Sequence, residues 1–316
     1  MAEPIGNNSH LIDTGLYGPL HGACYLVQDA GEFAIIDTGT HQTVPRILAD
    51  IAALGASPDQ VRYVMPTHVH LDHAGGAGQL MESCPNATLV VHPRGLPHMT
   101  DPSKLQAGAI GVYGEEAFLR DFGELIAVPE ERTVSASDQQ VFELGGRRLQ
   151  FIDTPGHANH HGCFFDQHSG YLYTGDTFGL GYSQFRQGKE PLLVATTTPV
   201  AFDPDAWYDS LDRMMALTPQ ACCLTHYGKI ERPEQRVDML RSSIRAHVDI
   251  ALEEEKRDSE GREARLKKAV DRLLVDAGCA HSNLPPDQVR HIFESDIDLN
   301  SQGLNIWLIR RAKKRA

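Results

Sequence analysis

The chain has 316 residues, with 29 Lys plus Arg against 42 Asp plus Glu and a formal charge of −13. Hydrophobic residues make up 41% of it, the composition of a folded globular protein, which excludes disordered and collagen-like classes. The acidic balance argues against a nonspecific nucleic-acid binder, because polyphosphate affinity rests on Lys and Arg.

In chain order, Gly22–Asp29 and Phe33–Asp37 are apolar runs that predict a hairpin. Thr43–Leu54 carries a helical period that Gly55 ends, Val61–Met65 is a buried strand, Ala74–Ser83 a helix and Thr88–His92 another strand. Residues 93–135 are rich in Pro and Gly. They are expected to be an irregular lid or binding loop with one short helix, Glu115–Phe122. Two hairpins follow, Gln140–Leu144 with Arg148–Asp153 and Cys163–Asp166 with Tyr171–Thr174. Asp205–Leu217 reads as a helix and Ala221–Thr225 as a last strand. Strands partly in hairpins, with helices between them, predict a layered α/β sandwich and not a doubly wound parallel sheet.

Beyond Arg232 the pattern becomes amphipathic and highly charged, with helices expected at Pro233–Asp258, Arg262–Ala277 and Pro286–Ser295. The tail from Ile297 to Ala316 ends in a basic run, expected to be a solvated helix terminus. Charge changes at the same place: residues 1–230 hold 12 basic and 26 acidic residues, and residues 231–316 hold 17 and 16. Two domains are therefore expected, a catalytic 1–230 and a helical 231–316. No apolar run reaches 18 residues, and the N-terminus has neither a basic start nor an apolar stretch, so the expectation is a cytoplasmic protein without a membrane partner. Six cysteines, none in a CxxC, are expected to be reduced and buried.

The 16 histidines are the informative residues. Thr67-His68-Val69-His70-Leu71-Asp72-His73 directly follows the strand Val61–Met65 and places four potential ligands within six residues. Alternation at a strand end projects His68 and His70 to one side, and the following turn presents Asp72 and His73 nearby. Neutral imidazole and carboxylate are the donors that zinc, iron and manganese accept. His157 in Thr154-Pro155-Gly156-His157, Asp176 in Gly175-Asp176-Thr177 and His226 in Thr225-His226-Tyr227-Gly228 each lie just past an apolar strand, with Gly close by for tight backbone approach. Seven such donors exceed one tetrahedral zinc and suit two metal ions sharing a hydroxide.

The ordered pattern HxHxDH, H, D, H over residues 10–230 resembles the metallo-β-lactamase fold superfamily of metallohydrolases, most closely a group of prokaryotic hydrolases with TPGHAxHH and LTHxG segments. That resemblance implies a four-layer αβ/βα sandwich with a C-terminal helical module. It implies that His68, His70 and His157 bind one divalent ion, that Asp72, His73 and His226 bind a second, and that Asp176 bridges both. Zinc is the first expectation, and iron or manganese suits the same donors. Asp37, in the Ile36-Asp37-Thr38-Gly39 turn, is expected to orient a ligand histidine.

The implied activity is hydrolysis of an ester-like bond in a small molecule: a lactone, thioester, ester or phosphoester. Asp72 and Asp176 are the expected catalytic carboxylates, Asp72 ligating and also passing a proton. Nucleases of this fold carry an inserted domain or a tRNA-gripping arm, and flavodiiron proteins carry a Glu in the first motif and a flavodoxin domain; this chain has none of these. A mononuclear-iron persulfide dioxygenase and a non-catalytic ligand-binding protein stand as alternatives. Candidate substrate-facing groups are Tyr17, His21, His98, Tyr113, His161, Tyr182 and Tyr227, with His160 beside His161, because a phenol or imidazole near the metals can stabilise an oxyanion. The C-terminal helices either cap the pocket or form a homodimer interface.

Overall fold

The computed structural model describes residues 1–186 and 190–315. Ala316, the last residue of the predicted tail, lies outside the described residues. The chain divides into two compact units. One comprises Met1–Asp153, His160–Gly175 and Pro219–Glu231, and the other Thr154–Asn159, Asp176–Thr218 and Arg232–Ala316.

The first unit contains two mixed sheets. Seven strands, β1 (Glu3–Gly6), β2 (Ser9–Asp13), β3 (Ala23–Asp29), β4 (Glu32–Ile36), β5 (Val61–Met65), β6 (Thr88–Val91) and β7 (Thr133–Ser135), lie side by side in sequence order. The second sheet has the order β13-β12-β11-β10-β9-β8, where β8 is Val141–Leu144, β9 Arg147–Asp153, β10 Gly162–Asp166, β11 Tyr171–Gly175, β12 Ala221–Leu224 and β13 Gly228–Glu231. Strands β4 to β7 are parallel to one another, as are β11 and β12, and the other pairings are antiparallel.

Alternation along the strands builds two cores. On β3, Cys24 and Leu26 face a core shared with Ile47, Leu80 and Met81 of the helical layer, while Ala23, Tyr25 and Val27 face Phe151, Phe164 and Tyr173 of the other sheet. On β4, Phe33 and Ile35 join the first core, and Ala34 and Ile36 the second. Such a strand is apolar on both faces, which is why it reads as a continuous apolar run.

Six helices belong to this unit: α1 (Val44–Ala53), α2 (Leu71–Ala74), α3 (Ala77–Ser83), α4 (Leu96–Thr100), α5 (Ser103–Tyr113) and α6 (Glu115–Asp121). The predicted helix Ala74–Ser83 is broken at Gly75-Gly76. A Cβ on Gly75 would stand 2.3 Å from the Leu71 carbonyl oxygen, and one on Gly76 2.7 Å from that of Thr40. The segment 93–135, expected to be irregular, is mostly helical. Its Pro and Gly residues concealed α4 and α5, because Pro97 occupies a tolerated first-turn position and Gly108 and Gly111 sit inside α5. Strands β1, β2, β7 and β13 were also not anticipated; each has five residues or fewer.

The second unit is helical: α7 (Pro204–Ala216), α8 (Val237–Glu255), α9 (Arg262–His281), α10 (Pro286–Ile292) and α11 (Glu294–Arg315). Asp203 caps α7, its carboxylate accepting from the Ala206 N–H at 3.3 Å. The predicted third helix stops at Ile292, and the tail forms the separate α11. Phe293 between them is buried and stacked on Phe185 at 4.8 Å. The basic tail is paired in part, Arg311 and Arg315 both donating to Glu255. Asn300 of α11 accepts from the Thr197 N–H at 2.7 Å and donates to the Ala195 carbonyl at 3.1 Å. Among the described residues no helix is long and apolar enough to cross a membrane. The six cysteines are unbridged, five buried and Cys279 half-buried.

Two helical glycines are expected to respond oppositely to a methyl group. A Cβ on Gly78 of α3 would lie 2.0 Å from the Ile126 carbonyl oxygen, whereas one on Gly108 of α5 would meet nothing within 4 Å. Thermal denaturation should therefore show Gly78→Ala destabilised by several degrees, and Gly108→Ala unchanged or stabilised by up to about 1 kcal/mol. A second expectation concerns His247 of α8, fully buried with its Nδ1–H donated to the Ser243 carbonyl at 2.9 Å. Burial holds its pKa down at about 4, so between pH 4 and about 6.5 the unfolded chain takes up a proton that the folded chain refuses. Stability from this group is complete above pH 6.5 and falls by about 3 kcal/mol toward pH 4. The melting temperature of His247→Gln should decline less steeply over that range than that of the wild type; parallel declines would refute this assignment.

Candidate metal centre

The site residues follow the ends of neighbouring strands at one edge of the first unit. β4 ends at Ile36, directly before Asp37, and β5 runs parallel beside it with Ile36 paired to Met65. β12 ends at Leu224, paired with Gly175 at the end of the parallel β11. Backbone bonds tie these ends together: Ala23 N–H to the Thr225 carbonyl at 2.8 Å, Asp37 N–H to Met65 at 3.3 Å, and Gly162 N–H to Thr67 at 2.8 Å.

Asp37 is the hub. It is 1% exposed, with a left-handed backbone at φ 55°. Its Oδ1 accepts from the Thr67 N–H at 2.7 Å and the Thr67 hydroxyl at 2.9 Å. Its Oδ2 accepts from the Thr225 hydroxyl at 2.6 Å and from His73 Nδ1–H at 2.9 Å. With its hydroxyl hydrogen committed to Asp37, Thr67 Oγ1 accepts from His68 Nδ1–H at 3.2 Å. That leaves His68 Nε2 as an acceptor, facing His70 Nδ1 at 2.8 Å. One carboxylate thus fixes the tautomers of two histidines.

His226 is fixed in the same manner, its Nδ1–H donated to the His21 carbonyl at 2.8 Å. The Nε2 atoms of His73 and His226 therefore carry lone pairs, and both face the Asp72 carboxylate, at 3.4 and 3.1 Å. Ligand atoms of Asp72, His73 and His226 all lie within 4.8 Å of one another. Three acceptors so close repel one another unless a proton or a cation lies between them, and a carboxylate with two imidazoles is a donor set for a divalent first-row metal. Burial pulls the Asp72 carboxyl upward, but a proton on the facing imidazoles of His73 and His226 outweighs it and holds it well below the usual carboxylate range. His21 is held down at about 4, by burial first and then by His226, against the pull of Asp72.

The second unit repeats this arrangement on a smaller scale. His157 donates its Nδ1–H to the Thr196 carbonyl at 2.9 Å, so its Nε2 is an acceptor, and it faces Asp176 Oδ2 at 3.4 Å. Gly156 lets the chain pass against α7, since a Cβ there would lie 2.4 Å from the Trp207 Cα. Trp207 is itself held by its indole N–H on the Thr177 carbonyl at 2.7 Å.

The remaining candidates fall in varied surroundings. His161 is fully buried with its ring 4.8 Å from that of His68, and His160 stands 5.4 Å from His70 and 6.4 Å from His98. Tyr17 packs edge-on against His21 at 5.7 Å, and His21 against His226 at 5.7 Å. Tyr113, at the end of α5, lies 5.2 Å from Phe122. Tyr227 is buried in the core between the sheets. Tyr182 belongs to the second unit, where its hydroxyl donates to the Asp296 carboxylate at 3.1 Å. Thr67 and Thr225 were missed by the sequence reading. The available signal was their shared position directly before a ligand histidine, Thr67-His68 and Thr225-His226.

Against known proteins, the family model for the metallo-beta-lactamase superfamily matches residues 17–226, and the chain belongs to that superfamily. Its α/β fold with a C-terminal helical region is the fold of that superfamily's solved structures. The metallo-beta-lactamase fold-containing protein ST1585 of Sulfurisphaera tokodaii is 28% identical over 225 residues, 68% of this chain and 78% of its own. Its crystal structure superposes over 95% of this chain and 99% of that one, with a TM-score of 0.66 at 23% identity, a likeness of fold. An atrochrysone carboxyl ACP thioesterase of Aspergillus fumigatus is 26% identical over 219 residues, 67% of this chain and 53% of that protein. A hydroxyacylglutathione hydrolase of Synechococcus is 26% identical over 179 residues, 56% of this chain and 57% of that protein. The chain thus spans somewhat more than half the length of these two enzymes.

Asp37→Asn puts an amide NH2 against donors and frees the His73 tautomer. Loss of one such orienting carboxylate is expected to weaken metal affinity roughly 10–100-fold. Competition with a chromophoric chelator measures this without any substrate, and an unchanged affinity would show that Asp37 does not support the centre.

Proposed function

We propose that this protein is a binuclear metal-dependent hydrolase that cleaves a thioester or related ester-like bond of a small molecule. The observation that carries the reading is the facing of unprotonated imidazole nitrogens and carboxylates, Asp72 with His73 and His226, and Asp176 with His157. In this reading His68, His70 and His157 hold one ion, Asp72, His73 and His226 the other, and Asp176 both. The thioesterase and hydroxyacylglutathione hydrolase names among the relatives support the ester-like substrate class.

Divalent cations held by such donors lower the pKa of water toward ~7 and polarise the carbonyl under attack. The chain's own contribution is orientation and proton handling. Asp37 and the Thr196 and His21 carbonyls hold the Nδ1 protons of His73, His157 and His226, so each Nε2 stays a lone-pair donor. Asp72 is available to take a proton at a carboxylate oxygen and return it to the leaving group. This chemistry requires no Ser or Cys nucleophile. The cysteines agree: burial pushes Cys24 and Cys223 thiols well up, away from the thiolate form.

Metal analysis of the purified chain is expected to give two ions. A screen over thioesters, lactones, esters, phosphodiesters and β-lactams should give turnover that falls by roughly three orders of magnitude or more in His68→Ala and Asp176→Ala. One iron per chain with oxygen uptake on glutathione persulfide would replace this reading by a dioxygenase. Full activity in Asp176→Ala, or protein without bound metal that still turns over, would overturn the mechanism.

A further inference from the structure

Nine large hydrophobic side chains are exposed among the described residues, and five of them fall in two segments of the first unit. Tyr17 (51%) and Leu20 (42%) lie on the loop before β3, and Val112 (56%), Tyr113 (40%) and Leu119 (55%) lie on α5 and α6. Helix α5 is unusual in itself. Its sequence SKLQAGAIGVY is largely apolar, yet it contributes no fully buried residue. A Cβ on Gly108, Gly111 or Gly114 would meet nothing within 4 Å, so packing does not require glycine at any of them. Each helical glycine weakens the helix by about fivefold in its formation constant relative to Ala, which leaves α5 adaptable.

Both segments are anchored at the metal centre. Leu71, the residue before Asp72, forms one cluster with Phe118 of α6 and Phe122 just after it, with Leu105 and Ile110 of α5, and with Leu16 beside Tyr17. A chain of rings also runs outward from the centre, His226 to His21 to Tyr17, each step 5.7 Å. Tyr113, at the end of α5, packs on Phe122 of that cluster at 5.2 Å. The nearby cation Arg120 is bound to Asp121 by two bonds of 2.7 Å. Lys104 stands on the opposite end of α5 from Tyr113, and Arg46, whose guanidinium lies against Gly15 at the start of the Tyr17 loop, donates to the Asp13 carbonyl at 2.5 Å.

We propose that α5 and the Tyr17 loop form an acyl-binding wall beside Asp72, and that the substrate presents to it an apolar acyl group larger than acetyl. The proposal rests on the hydrolase reading and deepens it by naming the acyl side. The wall is apolar, neutral and continuous with the centre. The weak helix lets its apolar face adjust to acyl groups of different shape.

The test compares acetyl and octanoyl N-acetylcysteamine thioesters on the metal-loaded full chain. Each methylene taken from water contributes about fourfold, so even partial burial predicts a kcat/KM for octanoyl at least tenfold above acetyl. That ratio should fall at least fivefold in Tyr17→Ser/Tyr113→Ser and in Val112→Asp, with circular dichroism and melting temperature reporting an intact fold. A wild-type ratio near one, or a ratio unchanged in both variants, overturns the wall. If neither thioester is hydrolysed, the thioester form of the hydrolase reading fails by itself. Calorimetric binding of the octanoyl thioester then decides the wall: a Kd weakened tenfold in the double variant supports it, and no binding or an unchanged Kd overturns it.

Discussion

The buried carboxylate of Asp37 is the constraint on which the metal centre depends. A charge out of water costs several kcal/mol unless its lone pairs are met. Here they are met by four donors from three places in the chain: two from Thr67 after β5, one from Thr225 after β12, and one from His73 in α2. β5 belongs to one sheet and β12 to the other. The same four bonds that satisfy the charge therefore tie the edges of the two sheets together, and they hold His73 with one nitrogen protonated and the other bare. Through Thr67 the arrangement passes on to His68. Satisfying one buried group and preparing a ligand set are here a single physical event.

The sandwich explains why such a centre forms at a sheet edge. β4 and β5 are parallel, as are β11 and β12, so successive strands deliver their following residues to the same side. Strand interiors are committed to the two cores, and the polar residues that would be costly inside are placed at the ends, where loops turn. Close approach of these loops needs small residues. Gly175 is the clearest case, since a Cβ there would stand 2.4 Å from the Thr67 hydroxyl oxygen and 2.6 Å from His161 Nε2. Donors that would repel one another in water are held together by covalent connection to rigid strands, which is how an electrostatically unfavourable cluster is made ready for a cation.

Overall charge says little about what the centre takes. The excess of acid lies within 1–230, where Asp37, Asp72 and Asp176 are themselves part of the arrangement. The surface beside Asp72 is apolar and aromatic, carried by α5, α6 and the Tyr17 loop. A polyanion would need a broad basic surface, which an excess of acid over residues 1–230 does not favour.

Much of this was legible in the sequence, because local signals and tertiary requirement agreed. The run from His68 to His73 is a ligand set by residue type and spacing, and the strands β3, β4, β5, β6, β8, β9, β10, β11 and β12 announce themselves because they are apolar on one or both faces. The layered α/β class follows from their alternation with helices. What the sequence could not decide lay where context overrides propensity. Residues 93–135 look like breakers, yet they form helices, because α5 and α6 pack on Leu71 and three glycines are tolerated where nothing crowds them. Short edge strands such as β1 and β7 carry too few residues for a period to emerge. The roles of Thr67 and Thr225, and of the His21 and Thr196 carbonyls, rest on hydrogen bonds between residues 30 to 205 positions apart. Residue type determined which atoms can bind a metal; only the tertiary structure decided which nitrogen of each histidine is left bare to do so, since that is set by whichever oxygen the fold brings to the other nitrogen.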